Sequence, residues 1–165
     1  MLFWKYSMEG QKKQKLTSQQ ALLKAASYCA YQERCHEEVM EKLSEWGIYG
    51  EDAGNILLKL IEQNYLNEER FAKAFAGGKF RVKKWGRLKI NSELTFRKIS
   101  DYCIRMGMKE IDEDQYLNTL KELAIEKFDS IKEKNPLIKK NKTAAFLMSK
   151  GYEPNLIWDY LRKME

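Results

Sequence analysis

The sequence is short of proline, glycine, cysteine and histidine. Its 2 prolines and 9 glycines among 165 residues are about half of what average usage predicts. This scarcity argues against a turn-rich all-β fold and favours helices. The apolar run Met1 to Trp4 is too short for a signal-peptide core, and no stretch approaches the roughly 18 consecutive apolar residues of a membrane span. We therefore expect a cytoplasmic protein without membrane contact.

The few cysteines and the single histidine offer little material for catalysis. Cys29, Cys35 and Cys103 lack the C-x-x-C spacing of zinc or redox motifs, so we interpret them as reduced, small apolar side chains. His36 is the one histidine available to activate a nucleophile, and Cys35 beside it cannot readily face it on one helix surface. No glycine-rich phosphate-binding motif appears either. The sequence predicts a protein that is not an enzyme and that uses no metal and no cofactor.

A repeat of about fifty residues runs through the chain. Three segments align when Leu43, Leu94 and Leu147 are placed in register, at separations of 51 and 53 residues. The positions 5, 10, 14 and 17 residues later are apolar in every copy. The first two copies also share the tripeptide Tyr-Leu-Asn, at 65–67 and 116–118. Apolar steps of three or four residues are typical of one helix face, so each copy predicts a helix, a short turn and a helix, with a third helix in the first two copies.

Local signals predict where these helices begin and end. N-cap residues precede several apolar stretches, namely Thr17 (with Gln20 in a capping box), Asn67, Ser100 and Asp112. Gly47 and Gly151 lie where a helix end needs a left-handed residue, whereas the second copy has Lys98 there. Because glycine is unfavourable inside helices, Gly77 and Gly78 predict a break or hinge.

These patterns predict an all-α fold of about nine helices, arranged as tandem three-helix repeats in an elongated, curved array. We divide the chain into a basic, flexible N-terminal arm (1–16), a first helical unit with a leading helix (17–80), a second three-helix unit (81–132) and a third helical unit (133–165). The core of the first unit is expected to include Leu22, Val39, Leu43, Leu57, Leu60, Phe71 and Phe75.

Positive charge is concentrated in one segment. The whole chain has a net charge of +6, whereas residues 79–105 alone contain 9 Lys and Arg against 2 acidic residues. Basic side chains neutralise phosphates, and an indole can stack on an exposed base. The candidate binding residues are Lys79, Arg81, Lys83, Lys84, Trp85, Arg87 and Lys89, with Arg70 and Lys73 upstream. Two plainer interpretations stay open: the charges could form a solvated helix face, and Trp85 could close the junction between two helices.

Two stretches carry a family pattern. Residues 65–72 read Tyr-Leu-Asn-Glu-Glu-Arg-Phe-Ala, residues 83–90 read Lys-Lys-Trp-Gly-Arg-Leu-Lys-Ile, and a Glu-Leu pair follows at 93–94. These stretches resemble the RecX family of recombinase regulators, whose pattern is Gly-Tyr-Leu-Asp-Asp-x-Arg-Phe-Ala, a basic helix, a Gly before a basic residue and Ile, and a Glu-Leu pair. This sequence departs from the pattern in places: Asn64 and Asn67 replace the family's Gly and first Asp, Gly77 and Gly78 interrupt a stretch that is usually more basic, and Lys98 replaces a glycine.

The resemblance implies tandem three-helix motifs, no catalysis, and binding to the RecA recombinase assembled on single-stranded DNA. It implies that the protein lies in the filament groove and restrains ATP hydrolysis, strand exchange and co-protease activity. We therefore expect a monomeric regulator of recombination and DNA repair that acts on this filament. Two alternatives stay open: a helix-turn-helix-like module that binds DNA directly, and a helical scaffold for some other protein.

Overall fold

The computed structural model describes residues 16–164, in which the chain forms nine α-helices and no strand. In chain order they are α1 (Ser18–Tyr31), α2 (His36–Glu45), α3 (Gly50–Glu62), α4 (Glu68–Lys83), α5 (Arg87–Phe96), α6 (Asp101–Met108), α7 (Glu113–Ser130), α8 (Pro136–Lys150) and α9 (Pro154–Leu161). The all-α prediction is confirmed. The arm predicted over 1–16 lies outside the described residues except for its last residue. None of the nine helices is long and apolar enough to cross a membrane.

The helices pack as three consecutive groups of three around two hydrophobic cores. We call α1–α3 the first group, α4–α6 the second and α7–α9 the third. The first group encloses its own core, which includes Ala21, Val39, Leu43, Ile56 and Leu60. The second and third groups share one continuous core, which includes Phe71, Leu94, Ile104, Tyr116 and Leu147. The unit boundaries after residues 80 and 132 stay predictions: residue 80 lies within α4, and residue 132 lies between α7 and α8.

The repeat is visible in the backbone of the turn between the last two helices of each group. The same hydrogen bond closes this turn three times, from the N–H of Ile48 to Leu43 (2.9 Å), of Ile99 to Leu94 (3.1 Å) and of Tyr152 to Leu147 (3.1 Å). The residue before each donor is left-handed, with φ of +79° at Gly47, +57° at Lys98 and +91° at Gly151. All three leucines are fully buried. Lys98 therefore takes the glycine conformation, which costs a side-chain-bearing residue about 1 kcal/mol.

The helix break predicted at Gly77 and Gly78 is wrong. Helix α4 runs without interruption from residue 68 to 83. The penalty of about 1 kcal/mol per glycine is smaller than the gain from burying Phe71 and Phe80 on either side of the pair. The absence of a side chain at Gly77 also leaves room for the Arg81 guanidinium, because a Cβ there would lie 2.7 Å from Nη1 of Arg81.

Two other predictions are wrong, one about the core around Phe71 and Phe75 and one about the shared tripeptide. Phe71 and Phe75 contribute to the core shared by the second and third groups, and the first group's core does without them. The tripeptide Tyr-Leu-Asn at 65–67 precedes α4, whereas its copy at 116–118 lies inside α7. The shared tripeptide therefore does not mark equivalent positions in these two helices, although Leu43, Leu94 and Leu147 do occupy equivalent positions.

Candidate nucleic-acid and filament interface

The exposed cations of the candidate interface lie at the C-terminal end of α4. The helix ends at Lys83, and Lys84, with φ of +55°, turns the chain away. The N–H of Lys84 donates to the carbonyl of Phe80 at 3.0 Å, which closes the last turn. Arg81, Lys83 and Lys84 are exposed, and none of them forms an ion pair within residues 16–164. These three side chains are therefore available to an anionic partner.

Trp85 lies beside this cationic helix end and is half-buried against the shared core. The ammonium of Lys79 lies 5.1 Å from the centroid of its ring, and that of Lys89 lies 4.8 Å away. Both distances are within the range of cation–π attraction, worth about 0.5–1 kcal/mol at exposed sites. A base that stacks on this indole would compete with these two lysines for the ring. Its role in stacking stays a prediction.

Arg87 belongs to the junction between the second and third groups. Its guanidinium pairs with Glu113 at 2.5 Å and lies 3.9 Å from Glu153. It also lies over the ring of Tyr116, with Cζ 4.1 Å from the centroid. These contacts occupy the side chain within the fold, so Arg87 is less available to a partner than its neighbours.

Arg70 and Lys73 lie at the opposite end of α4 from Lys83. The Nε of Arg70 pairs with Glu33 at 2.5 Å, and its Nη atoms donate to the side chain and the backbone carbonyl of Asn64 at 3.0 and 3.1 Å. Lys73 pairs with Glu69 on its own helix at 2.6 Å. At 1.5 Å of rise per residue, Arg70 lies about 20 Å along the axis from Lys83. The structure therefore does not bring these two cations together with the other candidates.

Two glycines hold the interface against the third group, a contact that the sequence does not predict. The N–H of Gly86 donates to the carbonyl of Lys150 at 2.8 Å, and the N–H of Leu88 donates to that of Gly151 at 3.0 Å. A Cβ on Gly86 would lie 2.2 Å from the Gly151 carbonyl, and a Cβ on Gly151 would lie 2.3 Å from Cβ of Lys89. The two backbones approach so closely that neither position accepts a side chain. Glycine at both positions was the available signal, but nothing in the sequence pairs them.

A buried tyrosine completes the same junction. The hydroxyl of Tyr116 accepts from the N–H of Arg87 at 3.0 Å and donates to Glu153 at 2.5 Å. Its ring lies 5.0 Å from that of Tyr152, centroid to centroid. Burial raises the pKa of Tyr116 well above its usual value, and the hydrogen bond to Glu153 adds to this rise. Burial likewise raises the pKa of Tyr152. Both hydroxyls therefore stay protonated through the neutral range.

The chemistry of this surface is that of binding. Within residues 16–164, no three His, Cys, Asp or Glu side chains converge in a way that could hold a metal ion. The available groups are ammonium and guanidinium ions beside an indole, which suit phosphates, carboxylates and bases.

Two family models match the helical groups that form this surface. The model described as RecX, second three-helix domain, matches residues 67–108, and the model described as RecX, third three-helix domain, matches residues 113–161. Together they cover more than half of the chain. The chain belongs to the RecX family. The resemblance carried by residues 65–94 is confirmed, and the two matched domains begin at the N-caps of α4 and α7 or one residue after them.

Curated relatives named "Regulatory protein RecX" agree with this assignment. The relative from Lactobacillus johnsonii is 34% identical over 97 residues, which cover 59% of this chain and 36% of the relative. That from Bacillus cytotoxicus is 24% identical over 147 residues, covering 89% and 54%. That from Clostridium perfringens is 28% identical over 133 residues, covering 79% and 62%. This chain therefore spans less than two thirds of the length of these relatives.

Two crystal structures of RecX proteins share the fold. A structure described as that of regulatory protein RecX superposes with a TM-score of 0.76 at 20% identity, covering 89% of this chain and 74% of the other. The structure of RecX from Lactobacillus salivarius gives 0.77 at 21% identity, covering 88% and 94%. At this identity the likeness establishes the fold alone, and it agrees with the tandem three-helix architecture.

Proposed function

We propose that this chain is a non-catalytic regulator that binds a RecA-type recombinase filament on single-stranded DNA. It lies in the filament groove and restrains ATP hydrolysis, strand exchange and co-protease activity. Membership of the RecX family and the regulatory names of the relatives support this function. The observation that carries it to particular residues is the cationic end of α4, where Arg81, Lys83 and Lys84 lie beside Trp85 and form no ion pair with any residue that the structure describes.

The distribution of charge supports an anionic partner for the second group in particular. Residues 67–112 contain 12 Lys and Arg against 6 acidic residues, whereas residues 17–66 contain 4 against 8. Phosphates of the filament DNA and acidic side chains of the recombinase both complement such a surface. Because the Gly86 and Gly151 backbones lock the second group to the third, the cations are presented on a firm support. A chain seated there excludes a second DNA strand from the groove.

The test reverses two exposed cations that pair with no acidic side chain among the described residues. Arg81→Glu combined with Lys83→Glu leaves Lys84, which sits in a left-handed turn, and Arg87, which pairs with Glu113, unchanged. We expect the concentration required for half-inhibition of recombinase ATPase on single-stranded DNA to rise about tenfold or more, with the greatest effect at low salt.

The matched control is Lys59→Glu combined with Lys109→Glu, an equal change of charge at two exposed positions outside the interface. This control is expected to inhibit like the unchanged chain. Equal inhibition by the Arg81/Lys83 variant, with an intact helical circular dichroism spectrum, would overturn the assignment of this surface.

The alternative of direct DNA reading uses the same helix and predicts a different result. The first turns of α4 carry Glu68 and Glu69 together with Arg70 and Lys73, a mixed surface that suits a major groove poorly. Tight, sequence-preferring binding to naked duplex at physiological salt, without recombinase, would favour this alternative over filament regulation.

A further inference from the structure

The two junctions between neighbouring helix groups are built from different interactions. The second and third groups are joined by backbone hydrogen bonds at Gly86 and Gly151, by the buried hydroxyl of Tyr116 and by a continuous core, in addition to the ion pairs of Arg87 with Glu113 and Glu153. Backbone hydrogen bonds and dry packing are little affected by salt. This junction holds its two groups as one body.

A few side-chain contacts join the first group to the second. Cys35, the N-cap of α2, is the only first-group residue among those described that lies in the shared core, and it is completely buried. Two ion pairs accompany it, between Glu33 and Arg70 at 2.5 Å and between Glu37 and Lys98 at 2.8 Å. The lysine side chain of the second pair is 76% exposed, so solvent and salt reach it freely.

Two clefts lie at this junction, each lined by residues of both the first and the second group. One, of about 310 Å³, has Glu33 and Glu38 on the first-group side and Lys79 and Arg97 on the other. The other, of about 380 Å³, includes Glu37, Glu38 and Glu41 on one side and Arg97 and Lys98 on the other. The groups thus meet with carboxylates facing cations across incompletely filled space. Such a contact is held by charge more than by packing.

We propose that the junction between the first and second groups is a charge-held hinge, about which α1–α3 swing against a single body formed by α4–α9. The segment 63–67 is the pivot, where Asn64 is left-handed and Arg70 binds its carbonyl. In the closed form the two ion pairs keep Cys35 inserted in the shared core. In the open form the clefts widen and the Cys35 thiol reaches solvent. The hinge is a property of the free chain and does not depend on the filament.

The three native cysteines report on this motion without any substitution. All three are buried, and burial raises the pKa of each thiol, so they react slowly in the closed form. Cys29 lies in the first group's own core and Cys103 in the shared core, so neither side chain crosses the junction as that of Cys35 does. We expect a thiol reagent to modify Cys35 several-fold faster at 1 M than at about 0.05 M sodium chloride. The rates at Cys29 and Cys103, followed by peptide mass spectrometry, should not change.

A charge exchange separates the hinge from a general effect of salt. Lys98→Glu places a carboxylate against Glu37 and should raise the Cys35 rate several-fold at low salt. Adding Glu37→Lys restores an opposite-charge pair and should return the rate to that of the unchanged chain. Cys35 protected equally at every ionic strength would overturn the hinge. So would a parallel rise at Cys35 and Cys29, because it would show that the first group unfolds instead of swinging.

Discussion

Two glycines, at 86 and 151, decide at the scale of single residues how the second and third groups meet. Each lacks a side chain because the other backbone, or that of Lys89, occupies the space. The contact aligns the N–H of Gly86 with the carbonyl of Lys150 and turns two helix ends into a hydrogen-bonded crossing. The cationic end of α4 owes its fixed position to this crossing. Gly86 lies between the candidate binding residues Trp85 and Arg87, so this stretch also has a structural role.

We predict that Gly86→Ala destabilises the chain severely. The new Cβ would lie 2.2 Å from backbone atoms of Gly151, which cannot rotate away as a side chain would. We expect the free energy of unfolding to fall by about 3 kcal/mol or more, measured by urea denaturation. The control is Gly78→Ala on α4, where nothing lies within 4 Å, and which should gain about 1 kcal/mol of helix propensity. Equal stability of the two variants would contradict the close approach.

We predict that the two buried tyrosines, Tyr116 and Tyr152, make the free energy of unfolding depend on pH in the alkaline range. Their raised pKa values in the folded chain contrast with ionisation near pH 10 in an unfolded one. Above about pH 10 the unfolded state therefore releases protons that the folded state keeps. The free energy of unfolding should fall by up to about 1.4 kcal/mol per pH unit for each tyrosine. Denaturation midpoints between about pH 8 and 11 measure this slope.

Tyr152→Phe supplies the control for the alkaline slope. The Tyr152 hydroxyl is buried without a hydrogen-bond partner among the described residues, so its removal should be tolerated near neutral pH. The variant is expected to lose the share of the slope that belongs to Tyr152 and to retain the rest, to which Tyr116 and the three buried thiols contribute. A slope as steep as that of the unchanged chain would show that Tyr152 does not contribute.

At the scale of elements, the helices begin where the capping signals in the sequence predict. The capping box of Thr17 and Gln20 and the side-chain caps of Asn67, Ser100 and Asp112 are confirmed. Each of these bonds joins residues three positions apart, so the sequence contains both partners. Lys84 shows the limit of such signals, since it is left-handed without being glycine, asparagine or aspartate. The length of α4 shows another, because packing on both flanks outweighs the two glycines inside it.

At the scale of the whole molecule, residues 16–164 pack around two cores, although the repeat has three copies. The repeat makes the three groups alike in their turns, yet only the first group has a core of its own, and Cys35 alone of its described core residues lies in the shared core instead. The other two pool theirs around Tyr116, Leu94 and Leu147. A chain built in this way should open in two parts, with the division at the proposed hinge.

Matched leucines test this division. Leu43→Ala and Leu147→Ala remove equivalent, fully buried side chains, and each should cost about 2–5 kcal/mol. We expect Leu43→Ala to speed amide hydrogen exchange in α1–α3 alone, and Leu147→Ala to speed it in both α4–α6 and α7–α9. Acceleration of all nine described helices by Leu43→Ala would contradict the presence of two separate cores.

The sequence by itself determined the helices, their caps, the three-fold repeat and the family. These properties depend on interactions between residues about three to five positions apart and on the period of one helix face. Only the tertiary structure decided which cations stay available. Arg87 is occupied by Glu113, 26 residues away, and Arg70 by Glu33, 37 residues away. Such pairs form because packing brings distant segments together, so charge counted along the chain located the basic segment without distinguishing its structural members from its exposed ones.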